Sequence, residues 1–349
     1  MSAATGSGGG ARPRPMPAEA GAHDEGAAGP PRSGGLSPVA PAWTMPAVVA
    51  VGTGVAAVVV PLVLGAFWLG VVTSSFVYAL AVLSVVVLHR ASQSVSLCQA
   101  AFLGIGAYTT AWLFTERGWP FLAAAVVGAL VCAPVGVLLA LPAIRLRLRG
   151  LELSVLTLCF GFAANALIFS PTAPLRVTAA GASLDPAPSP LGIDLNDPAV
   201  AYVAVLVVTS VVFLGVWSLL RSPLGATWQA MRAGNAVAEA CGIRVVRATL
   251  IGFAVSAVVA GVAGAMLITL QTTVTDASFS TAVSLFLVVV ATAAGIDRLG
   301  AAVVGGFVLG LGQQVFSTFG LEGDWLSFVL GIALVAVVVS RNVDRGRDG

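Results

Sequence analysis

The sequence predicts an all-α, polytopic membrane protein, and two observations carry that prediction. Of the 349 residues, 58% are hydrophobic and only 9% are charged, whereas soluble domains carry about 25% charged residues. Apolar stretches long enough to cross a bilayer, roughly 17 to 25 residues each, recur from Trp43 toward the C-terminus. The mean hydropathy of +0.99 agrees with a chain composed largely of transmembrane helices.

Taken in order, the chain begins with a polar segment, residues 1–42, which is rich in Gly, Ala, Pro and Ser. Such a composition buries too little apolar surface to offset the loss of chain entropy, so we predict a disordered cytoplasmic tail. A transmembrane domain follows over 43–340, and 341–349 is predicted to be a second cytoplasmic tail. The length of the apolar runs predicts about ten spans. They cover residues 46–66, 69–88, 95–114, 120–141, 151–170, 199–220, 249–270, 281–295, 300–318 and 325–340.

The charged residues indicate how these spans are oriented, because arginine accumulates in cytoplasmic loops. With ten spans and both termini in the cytoplasm, only Arg117 and Arg176 of the seventeen arginines fall in external loops. Acidic residues show the opposite distribution. Those predicted to be external are Glu116, Asp185, Asp194, Asp197, Asp276, Glu322 and Asp324.

Several functions are disfavoured by residue types that the sequence lacks. It contains no lysine, so it cannot carry a standard phosphate-binding P-loop, and an ATPase site of its own is excluded. The four cysteines have no close-paired spacing and there are only two histidines, so we predict no metal site. The spans hold essentially no ionisable side chains, which argues against a proton-driven carrier. We find no acid, base or metal cluster that indicates an enzyme, and we expect no nucleic-acid partner.

Polar and glycine residues within the spans are candidates for a solute route. In "SVSLCQAAFLGIGAY", Gly104 and Gly106 favour either tight helix packing or a broken helix. Amide and hydroxyl groups such as those of Gln99, Tyr108 and Asn165 can line a path for a neutral or zwitterionic solute. Alternatively, small and weakly polar residues allow helices to approach closely and to bond across their interface.

A polar segment, residues 221–248, separates the sixth and seventh spans. It is predicted to form a helix, a break, a short helix and a second break, after which the seventh span begins. Gly234 interrupts the first helix, Asn235 is a favourable N-cap and Gly242 suits the left-handed residue that ends a helix. The short helix is far below the roughly 12 to 15 residues that a helix needs to be stable in water. It must therefore dock, either on the spans of its own chain or in a groove of a partner.

Three stretches of the sequence together resemble a known family. They are Leu97–Trp112, "LCQAAFLGIGAYTTAW"; Arg149–Gly161, "RGLELSVLTLCFG"; and Ser222–Ala265, which begins "SPLGATWQAMRAGNAVAEACGIRVV". The chain from about Val71 to Val339 resembles the LivM-type permease subunits of ABC importers for branched-chain amino acids. The resemblance implies an ABC-importer permease fold in the cytoplasmic membrane of a bacterium.

The resemblance also implies partners. These are a second, LivH-type permease, two cytoplasmic ATPases that bind ATP and Mg²⁺, and an extracytoplasmic solute-binding protein. Because the ATPases bind the nucleotide, no cofactor is expected in this chain. Membrane lipid is expected to surround the spans. The family's short coupling helix corresponds to Asn235–Gly242. The predicted coupling residues are Arg232, Gly234, Asn235, Glu239, Ala240, Gly242 and Arg244, of which the two arginines would meet partner carboxylates. The predicted route residues are Gln99, Gly104, Gly106, Tyr108 and Asn165.

The sequence departs from the family at places that bear on the solute. Cys98 stands where a glycine is usual, and Phe162 and Ala163 stand where an acidic or amide residue is usual. Asp297 and Arg298 occupy a turn that is generally rich in glycine. Other amino acids, amides and urea-like solutes therefore stay open beside leucine, isoleucine and valine. The alternative function is an ion-coupled secondary transporter of a small neutral or zwitterionic solute.

Overall fold

The computed structural model describes most of the chain between Thr44 and Thr318. The described residues are 44–146, 148, 150–169, 182–183, 197–232, 234–271, 273–274 and 276–318. The two predicted tails, the tenth predicted span (325–340) and most of the predicted external loop after the fifth span lie outside them.

The described part of the chain is α-helical, as predicted. The helices are α1 (Thr44–Val63), α2 (Ala66–Ser92), α3 (Gln99–Thr115), α4 (Phe121–Arg145), α5 (Leu151–Ala164), α6 (Pro198–Arg221), α7 (Pro223–Met231), α8 (Asn235–Ala240), α9 (Val245–Leu270), α10 (Thr281–Ala293) and α11 (Gly300–Thr318). A π-helical turn, Asn165–Phe169, extends α5, and a 3₁₀ turn, Asp276–Phe279, precedes α10. Two short strands, β1 (Ala182–Ser183) and β2 (Thr273–Val274), pair antiparallel.

Each of the first nine predicted spans coincides with a helix. Among the described residues, five helical segments are long and apolar enough to cross a membrane. These are α2, α4, α5 with its π turn, α6 and α9. The multi-pass membrane character is thus confirmed, whereas the count of ten stays a prediction because the last span is not described.

Helices α2 and α9 form the centre of the bundle. In their most apolar portions 78% and 72% of the residues are buried, compared with 22% in α5 and 28% in α6. A surface of exposed apolar side chains on α4, α5 and α6, such as Leu138, Phe162 and Val211, suits contact with lipid.

Small residues set the distance between α3 and α9. A Cβ atom added to Gly106 would lie 2.6 Å from the Cα atom of Gly261, and one added to Gly264 would lie 2.8 Å from the carbonyl carbon of Leu103. Real side chains do not tolerate such distances, so both glycines are required for the observed crossing. Close approach of this kind is how transmembrane helices gain packing energy when lipid is as apolar as the helices.

Contacts between loops divide the loops into two groups at opposite ends of the bundle. The pairing of β1 with β2 joins the segment after α5 to the segment after α9, two loops predicted to be external. Arg90, Arg232 and Asp297, from three loops or helix ends predicted to be cytoplasmic, meet one another. These contacts agree with the predicted grouping of the loops, while the topology and the side of the membrane that each group faces stay predictions.

Candidate functional site

The segment between α6 and α9 folds as the predicted series of helix, break, short helix and break. Ser222 caps α7, its hydroxyl accepting a hydrogen bond from the Leu224 amide at 3.3 Å, and Pro223 occupies the first turn, where a missing N–H costs nothing. Helix α8 covers only six residues. Gly242 then adopts φ +77°, which confirms the left-handed residue expected after this helix.

Helix α7 is fixed to the membrane-spanning helices through Trp228. This side chain is 1% exposed and donates from Nε1 to the carbonyl oxygen of Ala248, at a distance of 3.0 Å, near the start of α9. Its ring lies beside Gly252, where an added Cβ would overlap Ala91 of α2. Trp228 therefore attaches α7 to the start of α9.

Helix α8 is held on one side and exposed on the other. Ala238 is buried, and its carbonyl oxygen accepts a hydrogen bond from the amide of Ile243 at 3.0 Å, which closes the turn at the end of the helix. The next four residues, 239–242, are all exposed, and so are Arg244 and Arg247. The exposed tip, residues 239–242, is thus a small protruding surface with acidic Glu239 at its beginning.

Most of the predicted coupling residues lie at this tip or beside it. Gly234 adopts φ +123° in the break before α8, and α8 begins at Asn235 itself, whose side chain lies outside the described residues. Glu239, Ala240, Gly242 and Arg244 are exposed, in agreement with a surface that could meet a partner.

Arg232 has an acidic partner within its own chain. Its guanidinium lies 2.6 Å from a carboxylate oxygen of Asp297, while its contact with a carboxylate of a partner chain stays a prediction. Asp297 belongs to the turn between α10 and α11, and the backbone oxygen of this residue also accepts a hydrogen bond from Arg90 at the end of α2. The sequence marked Asp297 as unusual, but no local pattern indicated its partner 65 residues away.

The five predicted route residues separate into two groups. Gln99 is fully buried; its side-chain oxygen accepts a hydrogen bond from Ser84 of α2 at 3.0 Å, and its nitrogen donates to Ser256 of α9 at 3.2 Å. The hydroxyl of Ser256 in turn donates to the carbonyl oxygen of Ser84 at 2.8 Å. Gln99 therefore joins α3 to α2 and α9. Gly106 also faces the centre of the bundle, where it packs against Gly261 of α9.

Gly104 and Tyr108 contact the π turn at the end of α5, Tyr108 also contacts the turn before α10, and Asn165 belongs to the π turn itself. The ring of Tyr108 lies 5.2 Å from that of Phe169 and 6.0 Å from that of Phe279, measured between centroids. Gly104 lies directly against Phe169, so that an added Cβ would overlap the ring. Asn165 is the first residue of the π turn, a feature that occurs often at functional sites.

Irregular backbone occurs before α3 rather than at its glycines. Helix α3 continues unbroken through Gly104 and Gly106, so of the two expectations for these residues tight packing is confirmed. The break covers residues 93–98. The third span was predicted to begin at residue 95, but α3 begins only at Gln99. Ser94, Ser96 and Cys98 are buried there, in a position that a bilayer tolerates only when other groups satisfy the backbone.

Two hydroxyl groups of α5 provide this compensation and one of α10 binds the start of α3; none of the three was among the predicted site residues. Ser154 donates to the Val95 carbonyl oxygen at 2.7 Å, and Thr157 accepts from the Leu97 amide at 3.0 Å. Ser284 of α10 accepts from the amide of Ala100, at 2.9 Å, at the start of α3. The three-residue spacing of Ser154 and Thr157 places both hydroxyls on one face of α5, but such a spacing is common in helices and does not by itself predict a contact.

Comparisons with known proteins agree with this architecture. The family model described as the branched-chain amino acid transport system permease component matches residues 67–338. The chain is 28% identical over 297 residues to the high-affinity branched-chain amino acid transport system permease protein LivM of Salmonella typhimurium, covering 78% of this chain and 68% of the relative. It is 27% identical, with the same coverage, to the LivM protein of Escherichia coli. No solved structure matches the chain.

Proposed function

The chain belongs to the family of permease components of branched-chain amino acid transport systems, and from this premise we propose that its exposed α8 tip receives the movement of separate ATPase subunits. The chain is a permease component of an ABC importer and thus a transport protein rather than an enzyme. The observation that carries the proposal is the contrast between a tip exposed at residues 239–242 and an α7 held to α9 by buried Trp228. Movement of the tip would reach the bundle through α7 and its buried Trp228.

The partners that we propose follow from this role. Two cytoplasmic ATPases bind ATP and Mg²⁺ and contact α8, so this chain needs no cofactor of its own. A related second permease lies beside it in the cytoplasmic membrane of a bacterium, with both termini of this chain in the cytoplasm, and an extracytoplasmic protein delivers the solute. In support, the sequence lacks the lysine of a P-loop, and Glu239, Ala240 and Gly242 lie at the exposed tip.

We place the solute route along the contact of α3, α5 and α10. Hydroxyls of Ser154 and Thr157 bind the irregular segment 93–98 there, and Ser284 binds the Ala100 amide at the start of α3. Interrupted helices of this kind typically form the solute sites of transporters. Gly104, Tyr108 and Asn165 lie farther along the same contact, where the rings of Phe169 and Phe279 fill the space. Gln99 and Gly106 are assigned to helix packing, because their contacts are with α2 and α9.

Uptake by the reconstituted system tests the proposed function. The chain is incorporated into liposomes together with a candidate second permease and candidate ATPases from the same organism, and the solute-binding protein is added outside with leucine, isoleucine, valine and other amino acids. We expect accumulation of at least one of these solutes only when ATP is enclosed. An ATPase variant without its P-loop lysine is the matched control and should give no uptake.

The alternative, a secondary carrier, predicts a different outcome. Uptake that persists without the ATPases and disappears when an ionophore collapses the ion gradients would refute the importer function. An ABC importer should continue to take up solute in the presence of the ionophore, because ATP hydrolysis supplies the free energy for transport.

A further inference from the structure

Three elements converge on one residue at the end of the bundle where α8 lies. Asp297, in the turn between α10 and α11, forms an ion pair with Arg232 at 2.6 Å, and its backbone oxygen accepts a hydrogen bond from Arg90. Arg232 directly follows α7 and stands three residues before α8. The turn of α10 and α11 is thereby attached to the segment that carries α8.

The arrangement of charge makes Asp297 necessary for this contact. Arg90 and Arg232 both approach Asp297, and both line a cavity of about 350 Å³ together with Trp228 and Gln229. Without the carboxylate, two guanidinium groups would face each other and repel. The side chains of Arg232 and Asp297 are 40% and 59% exposed, and an ion pair with that much solvent contact adds little to stability. The ion pair therefore contributes little to the stability of the fold, but it sets the position of the α10–α11 turn relative to α7.

Helix α10 leads from this contact toward the proposed solute route. At one end it is followed by the turn of Asp297, and near the other its Ser284 accepts a hydrogen bond from Ala100 at the start of α3. A movement of α7 and α8 therefore has two ways into the bundle. One is Trp228 into α9, and the other is Arg232 through Asp297 into α10.

We propose that the Arg232–Asp297 ion pair is a positioning contact that passes movement of α8 to α10, so that ATP hydrolysis is converted into opening of the solute route. The inference rests on the proposed coupling function of α8 and adds α10 as a second receiving helix. Neither arginine nor aspartate contacts the solute; the pair acts through α10 and its bond to α3. Breaking the pair should leave the ATPases bound and active while less solute is moved for each ATP.

The test measures solute transported per ATP hydrolysed in the reconstituted complex. Asp297→Asn and Arg232→Gln should each lower this ratio by about two- to fivefold, the range expected for an exposed ion pair. The reversed pair, Arg232→Asp with Asp297→Arg, keeps the net charge and should restore much of the ratio. Arg298→Gln is the matched control, because Arg298 is exposed on the same turn, and it should leave the ratio unchanged.

Two measurements separate this inference from simpler explanations. Thermal unfolding of each variant shows whether the fold has been weakened, and a ratio that follows the melting temperature instead of the charge arrangement would overturn the inference. An unchanged ratio in both single variants, or a reversed pair no better than they are, would also overturn it. If the unaltered complex shows no ATP-dependent uptake at all, the proposed function itself fails.

Discussion

Replacing Gly242 with tryptophan should reduce ATP-dependent uptake by about tenfold or more, equivalent to about 1.4 kcal/mol of lost interaction. Apart from the two adjoining residues, no atom of the described chain lies within 4 Å of a Cβ built at Gly242, so a side chain can start from this position without a clash. The new ring enlarges the tip where the ATPase is proposed to bind. The residue also holds φ +77°, which a side chain other than glycine adopts at a cost of about 1 to 2 kcal/mol.

Two control variants distinguish the surface effect from backbone strain. Gly242→Asn keeps the side chain small and tolerates the left-handed conformation, so it should retain most of the uptake. Gly118 has a similar φ of +64° and equally open surroundings, but it lies in the loop after α3, at the other end of the bundle. Gly118→Trp should leave the ATPases bound during purification, whereas Gly242→Trp should release them. Equal retention in both variants would contradict a binding role for the tip.

Reversing the charge of Glu239 should also weaken binding of the ATPase, and this substitution adds no backbone strain. Glu239→Arg reverses an exposed charge at the tip. If Glu239 meets a basic group of the ATPase, the like-charge contact weakens binding, and less ATPase should be retained during purification. Glu239→Gln, which removes the charge but keeps the shape, should have the smaller effect of the two.

Replacing Gly264 with alanine should destabilise the bundle by about 3 kcal/mol, the upper end of the usual range for overpacking. The added Cβ would press on the backbone of Leu103 in α3, and backbone cannot move aside as a side-chain tip can. The expected result is a large loss of monodisperse protein in detergent and a lower melting temperature.

The matched control is Gly215→Ala on α6, where no atom lies within 4 Å of the new Cβ. Alanine favours helix over glycine by about 1 kcal/mol, so this variant should be unchanged or slightly more stable. A Gly264→Ala protein as stable as the Gly215→Ala protein would show that α3 and α9 do not cross as closely as described.

Local sequence signals predicted the parts of the fold that depend on neighbouring residues. The length of each apolar run gave the spans, and Gly234 and Gly242 gave the two breaks around α8, because a left-handed residue is a property of one position. The same reasoning placed a possible break at Gly104 and Gly106. There the glycines serve contacts with Phe169 and α9, which only the packed bundle defines.

Features that join distant parts of the chain were not predictable in this way. The break at 93–98 is bound by hydroxyls of α5, and the partner of Arg232 is a carboxylate on the turn after α10. Gln99 was predicted to face a solute because it is polar within an apolar run. Its partners, Ser84 and Ser256, come from two other helices, and a single sequence does not reveal that they converge.

The central claim is that α8 binds an ATPase, and a native cysteine allows the most direct test. Cys241 is exposed at the α8 tip, Cys98 and Cys132 are buried, and Cys159 is the other exposed cysteine. In the detergent-solubilised Cys159→Ser variant, a water-soluble maleimide should therefore label Cys241. We predict that labelling falls several-fold when the complex is assembled with its ATPases and returns when they are removed. Labelling of Cys241 at the same rate with and without the ATPases would contradict the account.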